Sequence, residues 1–166
     1  MEASSLRIPY NNKNRFYAEL CSEISGILDS EWLMNFANFS ALLKQHLPDV
    51  NWVGFYLEKE GALILGPFQG LPACTRIAFG KGVCGTAALN KKTLVVADVD
   101  QFPGHIVCDA QSRSEIVIPL IIDNKVVGVL DVDSPLLQRF DSEDQKGLEQ
   151  AVQLLMAKTS LAQIRF

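Results

Sequence analysis

Three of the four cysteines in this 166-residue chain lie beside glycine or proline, and they are the side chains best suited to chemistry. Cys74 ends the segment GPFQGLPAC, Cys84 lies within GKGVCG, and Cys108 follows PGHIV. Glycine and proline mark loops or element ends, where the backbone can approach a ligand closely. A thiol there can act as a nucleophile or in redox chemistry, whereas a thiol on an apolar helix face usually packs in the core. Cys21 adjoins the apolar face of a predicted helix, so we predict that it is buried.

Two carboxylates near the end of a predicted strand form a second group with chemical potential. Asp131 and Asp133 are two residues apart in GVLDVD, so a strand there directs both to the same face as Val127 and Val129. Acidic residues at a strand end are commonly just exposed to water. The alternative is a poorly solvated pocket, in which crowded carboxyl groups keep a proton and act as acids near neutral pH.

Aromatic residues occupy one face of another predicted strand. Trp52 and Tyr56 are four residues apart, and Glu115 begins the strand that precedes the aspartate pair. Ordinary core packing explains both rings. The alternative is a cage in which aromatic faces and carboxylates together hold an ammonium group.

Two familiar site types fit the sequence poorly. The segment GKGVCG has the glycine spacing of a dinucleotide-binding turn, but that turn requires a parallel βαβ unit and this chain shows hairpins. A zinc site would draw on Cys74, Cys84, His105 and Cys108. Their spacing lacks the paired knuckles of structural zinc sites. We therefore predict no bound metal and no bound cofactor.

Composition limits the class of protein. The chain is 48% hydrophobic and 20% charged with a net charge of −4, which is typical of a globular domain and disfavours a dedicated nucleic-acid binder. The sequence shows neither a secretory signal nor an apolar stretch of about 18 residues that would span a bilayer. These features predict a cytoplasmic protein whose thiols are kept reduced, so that any disulfide would be transient and catalytic.

Periodicity predicts an α+β fold with a central antiparallel sheet and the terminal helices on one of its faces. We expect helices over 14–28, from an N-cap at Ser30 to Pro48, over 85–90, and from a capping box of Ser142 and Gln145. We expect strands over 51–57, 62–65, 75–79, 94–97, 115–122 and 126–133, the last two joined by a turn at Asp123-Asn124. A long connection over 98–114 carries Cys108.

Six segments together resemble the free methionine-R-sulfoxide reductases, a family of stand-alone GAF domains. They are NWVGFY, GPFQG, GKGVCGTA, FPGHIVCD, SEIV and GVLDVDSP. The resemblance runs from about Asn51 to the final helix and includes the three cysteines outside the first helix. It implies a single GAF domain over 1–166, with 1–13 as a flexible N-terminal extension and a ligand pocket on the sheet face opposite the terminal helices.

The resemblance also implies the activity and the roles of the residues. The reaction would be reduction of free L-methionine-(R)-S-oxide to L-methionine, with thioredoxin as electron donor. The matching positions are Cys108 as nucleophile, Cys74 and Cys84 in recycling, Glu115, Asp131 and Asp133 as pocket carboxylates, and Trp52 and Tyr56 as aromatic walls.

In that mechanism the nucleophilic thiolate becomes a sulfenic acid, and a second thiol then condenses with it to a disulfide. Which of Cys74 and Cys84 is the second thiol stays open, as do the identity of the general acid and the formation of a homodimer. The alternatives to an enzyme are a GAF sensor that binds a small molecule and a thiol redox sensor.

Overall fold

The computed structural model describes residues 9–106 and 110–160. The helices are α1 (Lys13–Ile27), α2 (Trp32–His46), α3 (Gly82–Asn90) and α4 (Ser142–Lys158), with one 3₁₀ turn over Val99–Gln101. The strands are β1 (Trp52–Lys59), β2 (Ala62–Gln69), β3 (Arg76–Ala78), β4 (Leu94–Val96), β5 (Ser114–Ile122) and β6 (Lys125–Ser134). The predicted α+β class and the predicted order of elements are confirmed.

The six strands form one sheet in the order β3-β2-β1-β6-β5-β4, and every neighbouring pair is antiparallel. The hairpin between β5 and β6 turns at Asp123 and Asn124, both of which have positive φ angles (46° and 62°). A two-residue turn with both φ angles positive matches the twist of the flanking strands, and Asp and Asn tolerate it. The predicted turn is confirmed.

The sheet separates two hydrophobic cores. The helix-side core packs α1, α2 and α4 against one face, with Phe16, Phe36, Phe55 and Leu130 among its members. The pocket-side core lies on the opposite face, where α3 packs. Cys21 is 6% exposed within the helix-side core and is a free thiol, which confirms its prediction as a core residue.

A bulge in β6 makes one predicted side-chain direction wrong. Leu120 pairs with Gly128 while Ile121 pairs with Val126, so Val127 is an extra residue between them. Because one extra residue reverses the alternation of side chains, Val127 packs against the helix-side core and does not share the face of Val129. The direction of the aspartates beyond the bulge is not altered.

Two predicted helix caps are also wrong. The N-cap of α2 is Glu31, whose side chain makes no capping hydrogen bond, and the Oγ of Ser30 donates to the carboxylate of Asp29. The capping box of α4 is formed by Asp141 and Asp144 and not by Ser142 and Gln145, which shifts it by one residue. Aspartate is as good an N-cap as serine, so Asp141 can take the capping position one residue earlier.

Two elements are longer than predicted. β2 continues to Gln69, and Pro67 fits within it because β3 pairs only with Ala62, Leu63 and Ile64, which leaves β2 at the sheet edge there. α3 begins at Gly82 and not at Gly85, so Cys84 lies in the first turn of a helix.

A polar cluster joins the beginning of α1 to the beginning of α4. We call it the Asp144 cluster; it comprises Tyr10, Lys13, Tyr17, Arg139 and Asp144. The fully buried Asp144 accepts hydrogen bonds from both tyrosines, from Lys13 Nζ (2.7 Å) and from Arg139 Nη1 (3.3 Å). Structured contacts therefore include the last residues of the stretch that the sequence suggested as a flexible extension. Among the helices of residues 9–106 and 110–160, none has the length and hydrophobicity to cross a membrane.

Candidate active site

The register of three neighbouring strands brings acidic residues together on the pocket side of the sheet. Asp133 of β6 pairs with Glu115 of β5 and with Trp52 of β1. One step along the sheet, Asp131 pairs with Val117 and with Gly54. Since side chains two residues apart share a face, Asp131 and Asp133 both point towards the side on which α3 packs.

α3 adds a thiol to these carboxylates. The helix packs closely on the chain before it: a Cβ on Gly85 would lie 2.3 Å from the carbonyl oxygen of Ala78. Cys84, in the first turn, thereby reaches β5, and its Sγ donates a hydrogen bond to Glu115 Oε1 at 3.8 Å. Cys84, Glu115 and Asp131 each offer one sulfur or oxygen atom, and these atoms lie within 4.8 Å of one another. We call these three residues the thiol–carboxylate cluster.

Burial dominates the electrostatics of this cluster. Cys84, Glu115 and Asp131 are 4%, 6% and 6% exposed. Loss of hydration raises the pKa of Glu115 well above its usual value, and the charges of Asp131 and Asp133 raise it further. Burial also raises the pKa of Asp131 to about 6, although hydrogen bonds with Cys84 and Glu115 oppose the rise. Burial and the same carboxylates raise the pKa of the Cys84 thiol.

The cluster lines a narrow cavity and includes a buried carboxylate oxygen that has no hydrogen-bond partner among the described residues. Within the described part of the chain, neither Glu115 nor Asp131 has an ion-pair partner, and the buried Asp131 Oδ1 has no hydrogen-bond partner. The cavity has a volume of about 30 Å³. A volume of that size admits about two water molecules, so an amino acid would require the cavity to widen. Its lining residues are Ile77, Lys81, Gly82, Val83, Cys84, His105, Ile106, Ser112, Glu115, Asp131 and Asp133.

The predicted aromatic walls lie beside this cavity and do not line it. Trp52 is 2% exposed and Tyr56 is 1% exposed, and their rings stack at a centroid distance of 5.9 Å. Burial and the charge of the neighbouring Asp131 raise the pKa of Tyr56. The Trp52 ring occupies space above Gly54, where a Cβ would come within 2.5 Å of it.

The three cysteines of the predicted site differ in state. Cys74 is half-buried, packs against the pocket-side core and is disulfide-bonded. Cys84 is a free, buried thiol. Cys108, the predicted nucleophile, lies outside the described residues.

Several lining residues were not singled out from the sequence. Lys81 is exposed at the N-cap of α3, and Gly82 and Val83 follow it in the first turn. Ser112 is 8% exposed and accepts a hydrogen bond from Asn51 Nδ2 at 3.0 Å. The glycines around Lys81 signal a close approach of the backbone, whereas nothing near Ser112 in the sequence marks it.

Comparison with known proteins places this arrangement in a family. The GAF domain family model matches residues 17–158. Protein YtsP of Bacillus subtilis is 53% identical over 148 residues, which cover 87% of this chain and 91% of that protein. A free methionine-R-sulfoxide reductase of Escherichia coli is 50% identical over 143 residues, which cover 85% of this chain and 87% of the relative.

A solved structure carries the same name as the Escherichia coli relative. It is the free methionine-R-sulfoxide reductase of Neisseria meningitidis in complex with its substrate, with a TM-score of 0.88 and 42% identity. The match covers 94% of this chain and 95% of that one. This chain belongs to the GAF-domain family of free methionine-R-sulfoxide reductases.

Proposed function

We propose that this protein reduces free L-methionine-(R)-S-oxide to L-methionine. The observation that carries the proposal is the thiol–carboxylate cluster, in which carboxyl groups with raised pKa values line a cavity opposite the helix-side core. Reduction of a sulfoxide consumes protons, because the oxygen must leave its sulfur. Carboxyl groups that keep a proton near neutral pH suit that step.

Charges of both signs around the cavity suit a free amino acid. Asp131 and Asp133 supply negative charge for the substrate ammonium group. The N-terminus of α3, where Gly82 and Val83 line the cavity, favours an anion, and Lys81 adds positive charge there. A residue within a peptide has neither an ammonium group nor a carboxylate at these places, so we expect the free amino acid to be preferred.

The proposed chemistry begins at Cys108. Its thiolate attacks the sulfoxide sulfur, the general acid protonates the oxygen, and the oxygen passes to the cysteine as methionine leaves. Cys108 becomes a sulfenic acid, whose condensation with a second thiol releases water and forms a disulfide. We assign the general acid to Glu115, because burial and two neighbouring carboxylates favour its protonated form.

We propose Cys74 as the second thiol. Cys74 is disulfide-bonded in the structure, whereas Cys84, the other candidate, is a free and buried thiol. A dithiol donor such as thioredoxin would then reduce this disulfide by thiolate exchange. Such a cycle suits a reducing compartment, so we propose a cytoplasmic location.

The test couples the purified protein to thioredoxin, thioredoxin reductase and NADPH. Four substrates are supplied separately: the free R epimer, the free S epimer, and a peptide that contains each epimer. We expect NADPH to be consumed with the free R epimer alone. Binding of the free R epimer without NADPH consumption, either here or with dithiothreitol as reductant, would overturn the proposal in favour of a sensor.

A further inference from the structure

Cys84 has no part in the proposed cycle, although it is the cysteine that contacts the pocket carboxylates. Its Sγ and one oxygen each of Glu115 and Asp131 lie within 4.8 Å of one another. Metal–sulfur and metal–oxygen bonds of about 2.3 and 2.1 Å at tetrahedral angles separate the donor atoms by roughly 3.5 Å, so the three side chains would close by up to about 1 Å around an ion. The three residues come from α3, β5 and β6, so the fold and not a local motif assembles them.

A second observation points to a ligand at the same place. Asp131 Oδ1 is buried and accepts no hydrogen bond from any described residue. An unmet carboxylate oxygen in a buried site is costly, and a bound cation would satisfy it. The cavity of about 30 Å³ is too small for an amino acid, but a single ion fits it without widening.

We propose that Cys84, Glu115 and Asp131 form a binding site for a thiophilic divalent cation, with Zn²⁺ as the best match. Zn²⁺ accepts one thiolate and two carboxylate oxygens and leaves a fourth position for water. Asp133 and His105 line the same cavity. This proposal departs from the prediction of no bound metal, and its donors share only Cys84 with the cysteine and histidine set that the sequence disfavours.

The chemistry of binding is proton exchange without oxidation. The cation forms a bond to the Cys84 sulfur, and the thiol proton passes to the buffer. Protons held by Glu115 or Asp131 leave in the same way, so binding weakens as the pH falls. The sulfur ligand selects Zn²⁺, Cd²⁺ or Co²⁺, while Mg²⁺ and Ca²⁺ prefer all-oxygen sites.

The effect of the cation on catalysis rests on the proposed function. The cation and the substrate ammonium group would use the same carboxylates, so Zn²⁺ should raise the apparent KM for free methionine sulfoxide, and a chelator should reverse the effect. Binding itself does not require that the protein be a reductase. The two proposals can therefore fail separately.

The binding test uses Co²⁺ and Zn²⁺ with fully reduced, oxygen-free protein. Co²⁺ titration should produce a thiolate-to-metal charge-transfer absorbance that saturates at one ion per chain. Calorimetry with Zn²⁺ in two buffers of different ionisation enthalpy should show release of protons on binding. The same results are expected in a Cys74→Ser Cys108→Ser double variant, which removes the cysteines of the proposed cycle.

The variants locate the site. Cys84→Ser should abolish the absorbance, and Asp131→Asn should weaken Zn²⁺ binding by more than roughly tenfold. Cys21→Ser, which changes a buried thiol of the helix-side core, should leave binding intact. Absorbance that persists in Cys84→Ser, or that is lost in the double variant, would overturn the proposal. If Cys84→Ser proves unfolded by circular dichroism, unchanged affinity in Asp131→Asn would overturn it equally.

Discussion

Two buried carboxylate clusters on opposite sides of the sheet have contrasting surroundings. Asp144 is 0% exposed and bonds to Lys13, Arg139 and two tyrosines. Asp131 is 6% exposed and, among the described residues, has a thiol and another carboxyl group as hydrogen-bonding neighbours. The two carboxylates are buried to nearly the same extent, but only the Asp144 cluster has counterions within the part of the chain that the structure describes.

The difference separates a structural role from a functional one. A buried carboxylate that is paired and hydrogen-bonded holds elements together, and here Asp144 joins α1 to α4. A buried carboxyl group without a counterion is costly to the fold and is retained where a ligand or a reaction uses it. Substitutions on the two sides should therefore affect different measurements.

The largest effect should follow from Asp144→Ala. It leaves the buried side chain of Arg139 without its carboxylate and Lys13 with Asp141 alone, and breaking a buried pair costs about 3–5 kcal/mol in the free energy of unfolding. Urea denaturation measures the loss. The KM of the remaining folded protein should stay the same, because Asp144 lies across the sheet from the cavity. A raised KM would show that the Asp144 cluster also supports the pocket.

The next effect is on catalysis. Glu115→Gln keeps the shape and hydrogen-bonding capacity of the side chain but cannot supply a proton, so kcat should fall by roughly 100-fold or more. Since the substitution removes no counterion from a neighbour, the free energy of unfolding at neutral pH should not fall. Steady-state kinetics and denaturation on the same sample test this pair of expectations. A large loss of stability with near-normal kcat would mean that Glu115 is structural.

Asp131 and Asp141, the N-cap of α4 that shares Lys13 with the Asp144 cluster, should respond to pH in opposite directions. The pKa of Asp131 rises from 3.8 to about 6 on folding, so its contribution to stability is present below pH 3.8 and is lost as the pH rises through 6. The expected loss is on the order of 3 kcal/mol between pH 4 and pH 7. Burial alone would raise the pKa of Asp141, but the hydrogen bond from Lys13 lowers this pKa from 3.8 to about 2. The contribution of Asp141 to stability is therefore present above pH 3.8 and is lost as the pH falls through 2.

Denaturation at several pH values between 4 and 7 measures the first of these effects. Asp131→Asn should flatten the decline in stability over that range and should make the protein more stable at pH 7. An unchanged pH dependence in this variant would mean that Asp131 does not carry the effect.

The smallest effects should come from two glycines. A Cβ on Gly147 would come within 2.0 Å of the Tyr17 ring, and one on Gly54 would come within 2.5 Å of the Trp52 ring. Each alanine variant should cost about 1–3 kcal/mol through overpacking. Gly54→Ala should also raise KM, because Trp52 lies beside the cavity, whereas Gly147→Ala should not. Equal KM values in the two variants would contradict this distinction.

Much of the fold could be predicted because local signals agreed with it. The alternation along β1 places Trp52 and Tyr56 on the pocket side, and the Asp123-Asn124 pair marks the turn between β5 and β6. The capping box at Asp141 was missed because neighbouring serine and aspartate offer the same chemistry one residue apart. The bulge at Val127 was missed because it depends on pairing with β5.

The candidate site was less accessible to prediction. Strand periodicity places Asp131 and Asp133 on one face, and register then brings Glu115 beside them. The contact of Cys84 with Glu115 depends on how α3 packs across the sheet, which no local pattern specifies. The nearly complete burial of Trp52 and Tyr56 likewise results from packing between distant segments.

The proposed reduction of the free R epimer can be tested in one measurement. The protein is incubated with dithiothreitol and an equal mixture of the R and S epimers of free L-methionine sulfoxide, and chromatography follows both epimers and methionine. The R epimer should disappear with equal formation of methionine, and the S epimer should remain. Persistence of the R epimer, or equal loss of both epimers, would contradict the proposed function.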